Sequence, residues 1–86
     1  MNQLRRQLGK YVGKNVTVRP EGDSNNSLTG MLRREDGNGN LRPGFYLGLM
    51  QVPSTKIFSA APRGDVLDIE LSPGYFESNK HMAAFS

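Results

Sequence analysis

Two short polar stretches carry most of the side chains in this chain that could recognise a ligand. One is the stretch Asp36-Gly37-Asn38-Gly39-Asn40, and the other is the pair Arg63-Gly64. Amide side chains can hydrogen-bond the edges of unpaired bases, and an arginine can stack on a base or pair with a phosphate. These residue types can therefore bind a polar or anionic ligand, but the same residues also serve ordinary turns with solvated side chains.

Positive charge is concentrated at the start of the chain. The first 20 residues contain five cations and no acidic residue, whereas the remaining residues contain six cations and eight acidic residues. This asymmetry favours an anionic partner near the N-terminal segment, and a solvated helix face is the alternative. Within that segment, Arg5 and Arg6 are the candidates for phosphate contacts.

The composition argues against catalysis and against a metal or cofactor site. The chain has no cysteine, and its single histidine, His81, falls in a polar C-terminal stretch where a solvated side chain is expected. The pair Gly37-x-Gly39 does not open a helical pattern, so it is not a phosphate-binding loop. We therefore expect a protein that binds its partner without an enzymatic reaction, a metal or a cofactor.

Hydrophobic periodicity indicates which elements carry these residues. Leu4, Leu8, Tyr11 and Val12 form one apolar stripe of a short helix, which Gly13 is placed to end in a left-handed conformation. After this helix the period changes to two, which is typical of half-buried strands. The five predicted strands lie around Val16–Val18, Leu28–Leu32, Phe45–Val52, Thr55–Ala60 and Val66–Leu71.

A helix followed by five short antiparallel strands predicts a mostly β fold, a strongly bent SH3-like barrel. We assign this domain to residues 1–71 and interpret residues 72–86 as a loosely attached tail, because they lack periodicity. No apolar run approaches the roughly 20 residues that span a bilayer, and the N-terminus lacks the apolar core of a signal peptide. The expected protein is soluble and cytoplasmic, with no membrane contact.

Three pieces of the sequence, taken in order, resemble the Sm-like (Sm/LSm) family. Gly13-Lys14-Asn-Val16-Thr-Val18 is similar to the first strand of that family. Gly30-x-Leu32-x-x-x-Asp36-x-x-x-Asn40 has the residues and the spacing of the remainder of its first motif. Arg63-Gly64-Asp-Val-Leu67 resembles its second motif, so that the resemblance covers residues 3–71.

The resemblance implies a homo-oligomeric ring that binds single-stranded, U-rich RNA. The fold it implies is a strongly bent five-stranded antiparallel barrel. Rings of about five to seven subunits would form by pairing the fourth strand of one subunit with the fifth strand of the next. Such a ring multiplies a weak site through its effective concentration.

The resemblance also implies roles for individual residues. Asn40 would hydrogen-bond a base edge, Asp36 would brace the turn that presents it, and Arg63 would contact base or phosphate beside Gly64. The aromatic residues are expected in the core or at a subunit interface rather than as stacking platforms, and Tyr46, close to the polar turn, is the candidate exception. The complete set of RNA-binding candidates is Asp36, Asn38, Asn40, Tyr46, Arg63, Gly64, Arg5 and Arg6.

One departure from the family pattern keeps a second function open. Family members usually place a bulky stacking residue between the Asp and the Asn, whereas this chain has Gly37-Asn38-Gly39. A base that loses its stacking platform loses about 1–3 kcal/mol of binding free energy. The alternative is an Sm-fold or SH3-like structural or protein-interaction subunit without RNA binding.

Overall fold

The structure, a computed structural model, describes residues 2–85. Met1 of the predicted 1–71 domain and Ser86 of the predicted 72–86 tail lie outside these residues. No helix within residues 2–85 is long and apolar enough to cross a membrane. The elements in chain order are α1 (Asn2–Lys10), β1 (Asn15–Pro20), β2 (Leu28–Glu35), β3 (Gly44–Leu47), β4 (Met50–Gln51), a 3₁₀ helix (Ser54–Lys56), β5 (Ile57–Arg63), β6 (Val66–Leu71), α2 (Pro73–Asn79) and a second 3₁₀ helix (Lys80–Ala84).

The six strands form one mixed, unclosed sheet in the order β4-β3-β2-β1-β6-β5. Neighbouring strands are antiparallel except β1 and β6, which pair in parallel from Val16↔Leu67 to Pro20↔Leu71. The prediction of a mostly β fold is confirmed. The structure does not show the predicted five-stranded antiparallel barrel, because the predicted third strand is divided in two and β6 runs beside β1 in the same direction.

The short connection between β4 and β5 requires this sheet to curve. Strands β4 and β5 lie at opposite edges, yet only residues 52–56 connect them. A flat sheet with six strands would separate its edge strands by about 24 Å, at roughly 4.8 Å per strand. The connection spans at most about 20 Å when fully extended, and its 3₁₀ helix shortens it further. The two edges therefore approach each other, although no ladder joins them in residues 2–85.

The prediction of one strand over Phe45–Val52 is wrong. A turn at Gly48 and Leu49 divides it into β3 and β4, and Leu47 pairs with Met50 across that turn. Gly48 has a φ of +60°, and glycine at the first central position is what a type II′ hairpin turn requires. The continuous apolar pattern around this glycine concealed the reversal of the chain.

The other local predictions fare better. The last strand is confirmed at both ends, Val66–Leu71. Gly13 has the predicted left-handed conformation with a φ of +86°, but the helix that it was expected to end stops earlier, at Lys10. The strand predicted at Thr55–Ala60 is displaced toward the C-terminus, because Ser54–Lys56 form a 3₁₀ helix and β5 runs over Ile57–Arg63. Local alternation thus located the strand but not its boundary with the preceding turn.

The core lies on the inner face of the curved sheet, to which α1 contributes Leu8 and α2 contributes Phe76. Alternate residues of β1 and β6 are buried, as the period of two predicts, and Leu8 of α1 packs against them. A nine-residue helix is marginal in isolation, so this docking is what stabilises it. The buried hydrophobic cluster consists of Leu8, Val16, Val18, Leu32, Leu47, Met50, Val52, Leu67, Ile69, Leu71 and Phe76.

The C-terminal segment is part of this packing, and the predicted loosely attached tail is not observed for residues 72–85. Phe76 of α2 is 1% exposed and belongs to the core cluster. The Tyr75 hydroxyl donates a hydrogen bond of 2.6 Å to the Gln51 carbonyl oxygen, and the Leu49 N–H donates one of 3.0 Å to Met82. Burial raises the pKa of Tyr75 above its usual range. Two adjacent aromatic residues therefore anchor a segment too short to show a periodic pattern.

Candidate nucleic-acid interface

The polar turn after β2 is exposed and is held by its own side chains. The Asp36 carboxylate accepts hydrogen bonds from the backbone N–H of Asn38 at 2.9 Å and from its side-chain amide at 3.0 Å. Gly37 has a φ of +88° and packs against Pro43. Asp36 therefore braces this turn, but through Asn38, whereas the exposed side chain of Asn40 has no hydrogen bond within residues 2–85.

The Arg63-Gly64 turn lies between β5 and β6. Gly64 has a φ of +66°, and no atom lies within 4 Å of the position that a Cβ would take there. The Arg63 side chain is 79% exposed, and its guanidinium lies 3.3 Å from an Asp68 carboxylate oxygen. The Arg63 side chain therefore lies along the outer face of the sheet and pairs with Asp68.

Asp68 belongs to a network of charged side chains on that outer face. The Arg19 guanidinium donates hydrogen bonds of 3.1 and 3.3 Å to Asp68 and lies 3.2 Å from Glu70. The hydrogen bond with Asp68 raises the pKa of Arg19, while a hydrogen bond from the Ser59 hydroxyl is the main cause that lowers the pKa of Glu70. These charges compensate one another, so the network is an unpromising site for an anion.

Tyr46 does not offer a surface on which a base could stack. Its side chain is 3% exposed, and its hydroxyl donates a 3.0 Å hydrogen bond to the Arg42 carbonyl oxygen. Burial along β3 does not alternate: Tyr46 and Leu47 are both buried, whereas Phe45 is only partly buried. We therefore leave Tyr46 out of the interface.

The two polar turns lie toward the same end of the sheet. Asn15 at the start of β1 pairs with Met31 of β2, and its neighbour Val16 pairs with Leu67 of β6. The groove that Arg63 lines is formed by the β1–β2 loop and the outer faces of β1 and β6, and none of the residues 36–40 contributes to it. Within one chain, the described residues do not combine the two turns into one site.

A different groove, next to the polar turn, combines positive charge with an aromatic ring. It has a volume of about 460 Å³, and its lining includes Arg5 of α1, Arg34 of β2, Phe45 of β3 and Gln51 of β4. The Arg34 guanidinium lies 5.0 Å from the centre of the Phe45 ring. We call this groove the Arg34 groove and define it by these four residues together with Ser54, which also lines it.

Sequence reasoning identified Arg5 in this groove but missed Arg34 and Phe45. Arg33 and Arg34 are neighbours on β2, so alternation places their side chains on opposite faces. The Arg33 side chain donates a hydrogen bond to the Gly48 carbonyl oxygen at 2.5 Å and pairs with Glu35 at 2.9 Å. The Arg34 side chain lies against Gly9 of α1, where a Cβ would stand 2.9 Å from Nη2. Nothing in the sequence relates the helix to this particular strand position.

The cations divide into a paired set and an unpaired set. Arg19, Arg33, Arg63 and Lys80 each have an acidic partner within 4.0 Å. Within residues 3–85, seven lysine and arginine side chains lack such a partner: five lie on α1, just after it or beside it, and Arg42 and Lys56 lie elsewhere. The exposed cations Arg5, Arg6, Lys10, Lys14 and Arg34 constitute what we call the α1 surface.

In the part of the chain that the structure describes, no group of three His, Asp or Glu side chains could hold a metal ion. No protein-family model, curated protein or solved structure significantly matches this chain. Its function is therefore inferred from the residues of the α1 surface and the Arg34 groove.

Proposed function

We propose that this chain is a non-catalytic protein of Sm-like architecture that binds single-stranded RNA through the α1 surface. The observation that carries the proposal is the concentration there of five exposed cations without an acidic partner in residues 3–85. Cations that are already paired gain little from a phosphate, whereas unpaired cations gain the full contact. Arg5 and Arg6, predicted as rim contacts, belong to this surface.

The proposal has a quantitative consequence for salt dependence. Binding that neutralises Z phosphates of a single strand changes log K by about −0.7Z per decade of salt. For the five cations of the α1 surface the slope is about −3.5, which weakens binding by about 100-fold between 50 and 200 mM salt. A contact made by two cations would weaken only about sevenfold over the same interval.

The open edges of the sheet bear on the proposed ring. Strand β6 is paired by β1 on one side and by β5 on the other, so it has no open edge for a neighbouring subunit. In the ring implied by the resemblance, the fifth predicted strand, which corresponds to β6, pairs with the fourth strand of the neighbouring subunit. We therefore propose a different contact between subunits. A homo-oligomeric ring of this chain would join β5 of one subunit to the β4 edge of the next, a head-to-tail contact that closes.

The primary test is a salt titration of the full chain with fluorescent oligouridylate and oligoadenylate. The expected result is a binding constant whose logarithm falls with a slope near −3.5, and tighter binding of oligouridylate. The double variant Arg5→Gln/Arg6→Gln should make the slope shallower by about 1.4. The matched control is Arg19→Gln, which removes a paired cation and should leave the slope unchanged. No binding above micromolar affinity at low salt would reject the proposal.

The second candidate is a structural or protein-interaction subunit without RNA binding. It is favoured because two of the predicted RNA-binding side chains are not available to a ligand: Tyr46 is buried, and Arg63 is paired with Asp68. It is also favoured by the exposed apolar side chain of Phe58 on the edge strand β5, which is 64% exposed. Sedimentation and RNA binding together test this candidate: Phe58→Asp should dissociate a β5-mediated oligomer, and the original chain should bind no oligonucleotide.

Single-stranded RNA is available in the cytoplasm, so we propose that the protein acts there.

A further inference from the structure

We infer that the Arg34 groove is a subsite for one nucleotide of the bound strand, with the phosphate at the two arginines and the base or ribose beside Phe45 and Gln51. This inference rests on the proposed function, because it assigns part of the strand to a particular place next to the α1 surface. None of the residues Arg34, Phe45 and Gln51 was among the predicted RNA contacts.

The size and the charge of the groove suit this occupant. Its volume of about 460 Å³ falls within the range of small-ligand sites, about 300–1,000 Å³. Arg5 and Arg34 are both exposed and have no acidic partner within residues 3–85. Glu35 is the one acidic residue in its lining, and Arg33 at 2.9 Å compensates that charge. The groove therefore presents two positive charges to a ligand.

The Arg34 guanidinium has two neighbours beside the groove. It lies 5.0 Å from the centre of the Phe45 ring, and its Nη2 atom lies beside Gly9 of α1. Gly9 allows this approach because it has no side chain. A guanidinium held in a fixed plane loses little conformational entropy when it binds a phosphate with two parallel hydrogen bonds. Its planar group can also extend the Phe45 ring as a stacking surface.

The remaining lining supplies neutral hydrogen-bonding groups. The Gln51 side-chain amide makes only a long 3.4 Å contact with the Pro43 carbonyl oxygen, so it can exchange this contact for a base edge or a ribose hydroxyl. The Ser54 hydroxyl lines the same groove. Two cations, an aromatic ring and an amide together match a nucleotide better than they match a simple anion, which needs only the charge.

The most specific test keeps the positive charge at position 34 and changes the geometry of its hydrogen-bond donors. Arg34→Lys retains the positive charge but loses the planar, two-point donor, and Arg19→Lys makes the same change at an arginine that is paired with Asp68 and lies outside both the groove and the α1 surface. We expect Arg34→Lys to weaken oligouridylate binding by about fivefold or more with an unchanged salt slope. We expect Arg19→Lys to stay within about twofold of the original chain. Equal, small effects of both variants would overturn the groove assignment while leaving the proposed function intact.

Two further measurements identify the occupant. Titration with uridine 5′-monophosphate should shift the NMR signals of the Phe45 ring and the Gln51 amide, and inorganic phosphate should move the Arg34 signals with little effect on Phe45. Phe45→Leu should reduce the affinity for oligouridylate by about fivefold, with folding verified by thermal unfolding. Binding of a polyglutamate peptide as tightly as an oligonucleotide of equal charge would overturn the nucleotide assignment. Failure of the original chain to bind any oligonucleotide would instead reject the proposed function.

Discussion

Arg34 and Phe45 are direct cross-strand partners in the β2–β3 ladder, and the Arg34 guanidinium lies 5.0 Å from the centre of the Phe45 ring. A pair of this kind at an exposed site is worth about 0.5–1 kcal/mol. The contact contributes to the stability of the β2–β3 pair. Both residues also line the Arg34 groove, so the same contact positions the guanidinium there.

A double-mutant cycle measures this relationship in the protein without a ligand. Arg34→Gln, Phe45→Leu and the double variant should give a coupling free energy of about 0.5–1 kcal/mol in urea unfolding. The control is the same cycle with Arg6→Gln in place of Arg34→Gln, for which we expect a value within about 0.3 kcal/mol of zero. A coupling free energy near zero for the first cycle would contradict the cation–π contact.

Gly48, in the β3–β4 turn, should tolerate substitution less well than Gly64. It has a φ of +60°, and a Cβ there would collide with the carbonyl oxygens of Ala83 and Phe85. Gly64 has a similar φ of +66° but open space around its Cβ position, which makes it the matched control. We expect Gly64→Ala to cost about 1–2 kcal/mol and Gly48→Ala to cost clearly more.

Urea unfolding of both variants checks this difference. Hydrogen exchange adds a second readout, because the collision in Gly48→Ala should lower the protection of the second 3₁₀ helix, whereas Gly64→Ala should leave that helix protected. Equal costs for the two variants would show that the C-terminal segment does not pack on the β3–β4 turn.

The C-terminal segment should contribute strongly to stability, against the expectation from the sequence. Phe76 is fully buried, so Phe76→Ala should lower the free energy of unfolding by about 3–5 kcal/mol. Phe85 lies in the same segment with 56% of its surface exposed, and Phe85→Ala should change it by less than about 0.5 kcal/mol. If Phe76→Ala prevents folding, Phe76→Leu removes fewer buried atoms, should cost less than Phe76→Ala but clearly more than Phe85→Ala, and can be measured instead. Similar small effects at positions 76 and 85 would restore the interpretation of this segment as a loose tail.

The outer-face network should make stability sensitive to acid. The pKa of Glu70 lies below its ordinary value of 4.5 in the folded protein, chiefly because the Ser59 hydroxyl donates to it. A carboxyl group with a lowered folded-state pKa stabilises the fold above its ordinary value, and this contribution is lost as the pH falls through the folded pKa. Stability should therefore decline as the pH falls below about 4.5.

Thermal unfolding between about pH 6 and 3 tests the origin of this dependence. Ser59→Ala removes the main cause of the shift, so it should bring the pKa of Glu70 closer to its ordinary value and make the decline shallower. Glu70→Gln should remove its contribution altogether, while Glu21→Gln, at an exposed position without an ion pair in residues 3–85, is the control. A decline that is identical in all of these variants would place the acid sensitivity elsewhere.

Local patterns in the sequence determined the mostly β fold and the faces of individual strands. Alternation predicted that Val16 and Val18 face the core, and it predicted the bounds Val66–Leu71. The glycine-rich turn at residues 36–40 and the left-handed Gly13 were also predictable. Each of these features depends on residues only a few positions apart, whose steric preferences and side-chain directions do not need the rest of the fold.

Only the tertiary structure decided which distant residues meet. It divided the apolar run at Gly48, buried Tyr46 and Phe76, and paired Arg63 with Asp68. It also brought α1 beside Arg34 and opened the groove between them. A charge pattern near the N-terminus could indicate an anionic partner, but not the strand position that completes the site. The docking of a helix on a curved sheet depends on the shape of the whole core, and no local spacing encodes that shape.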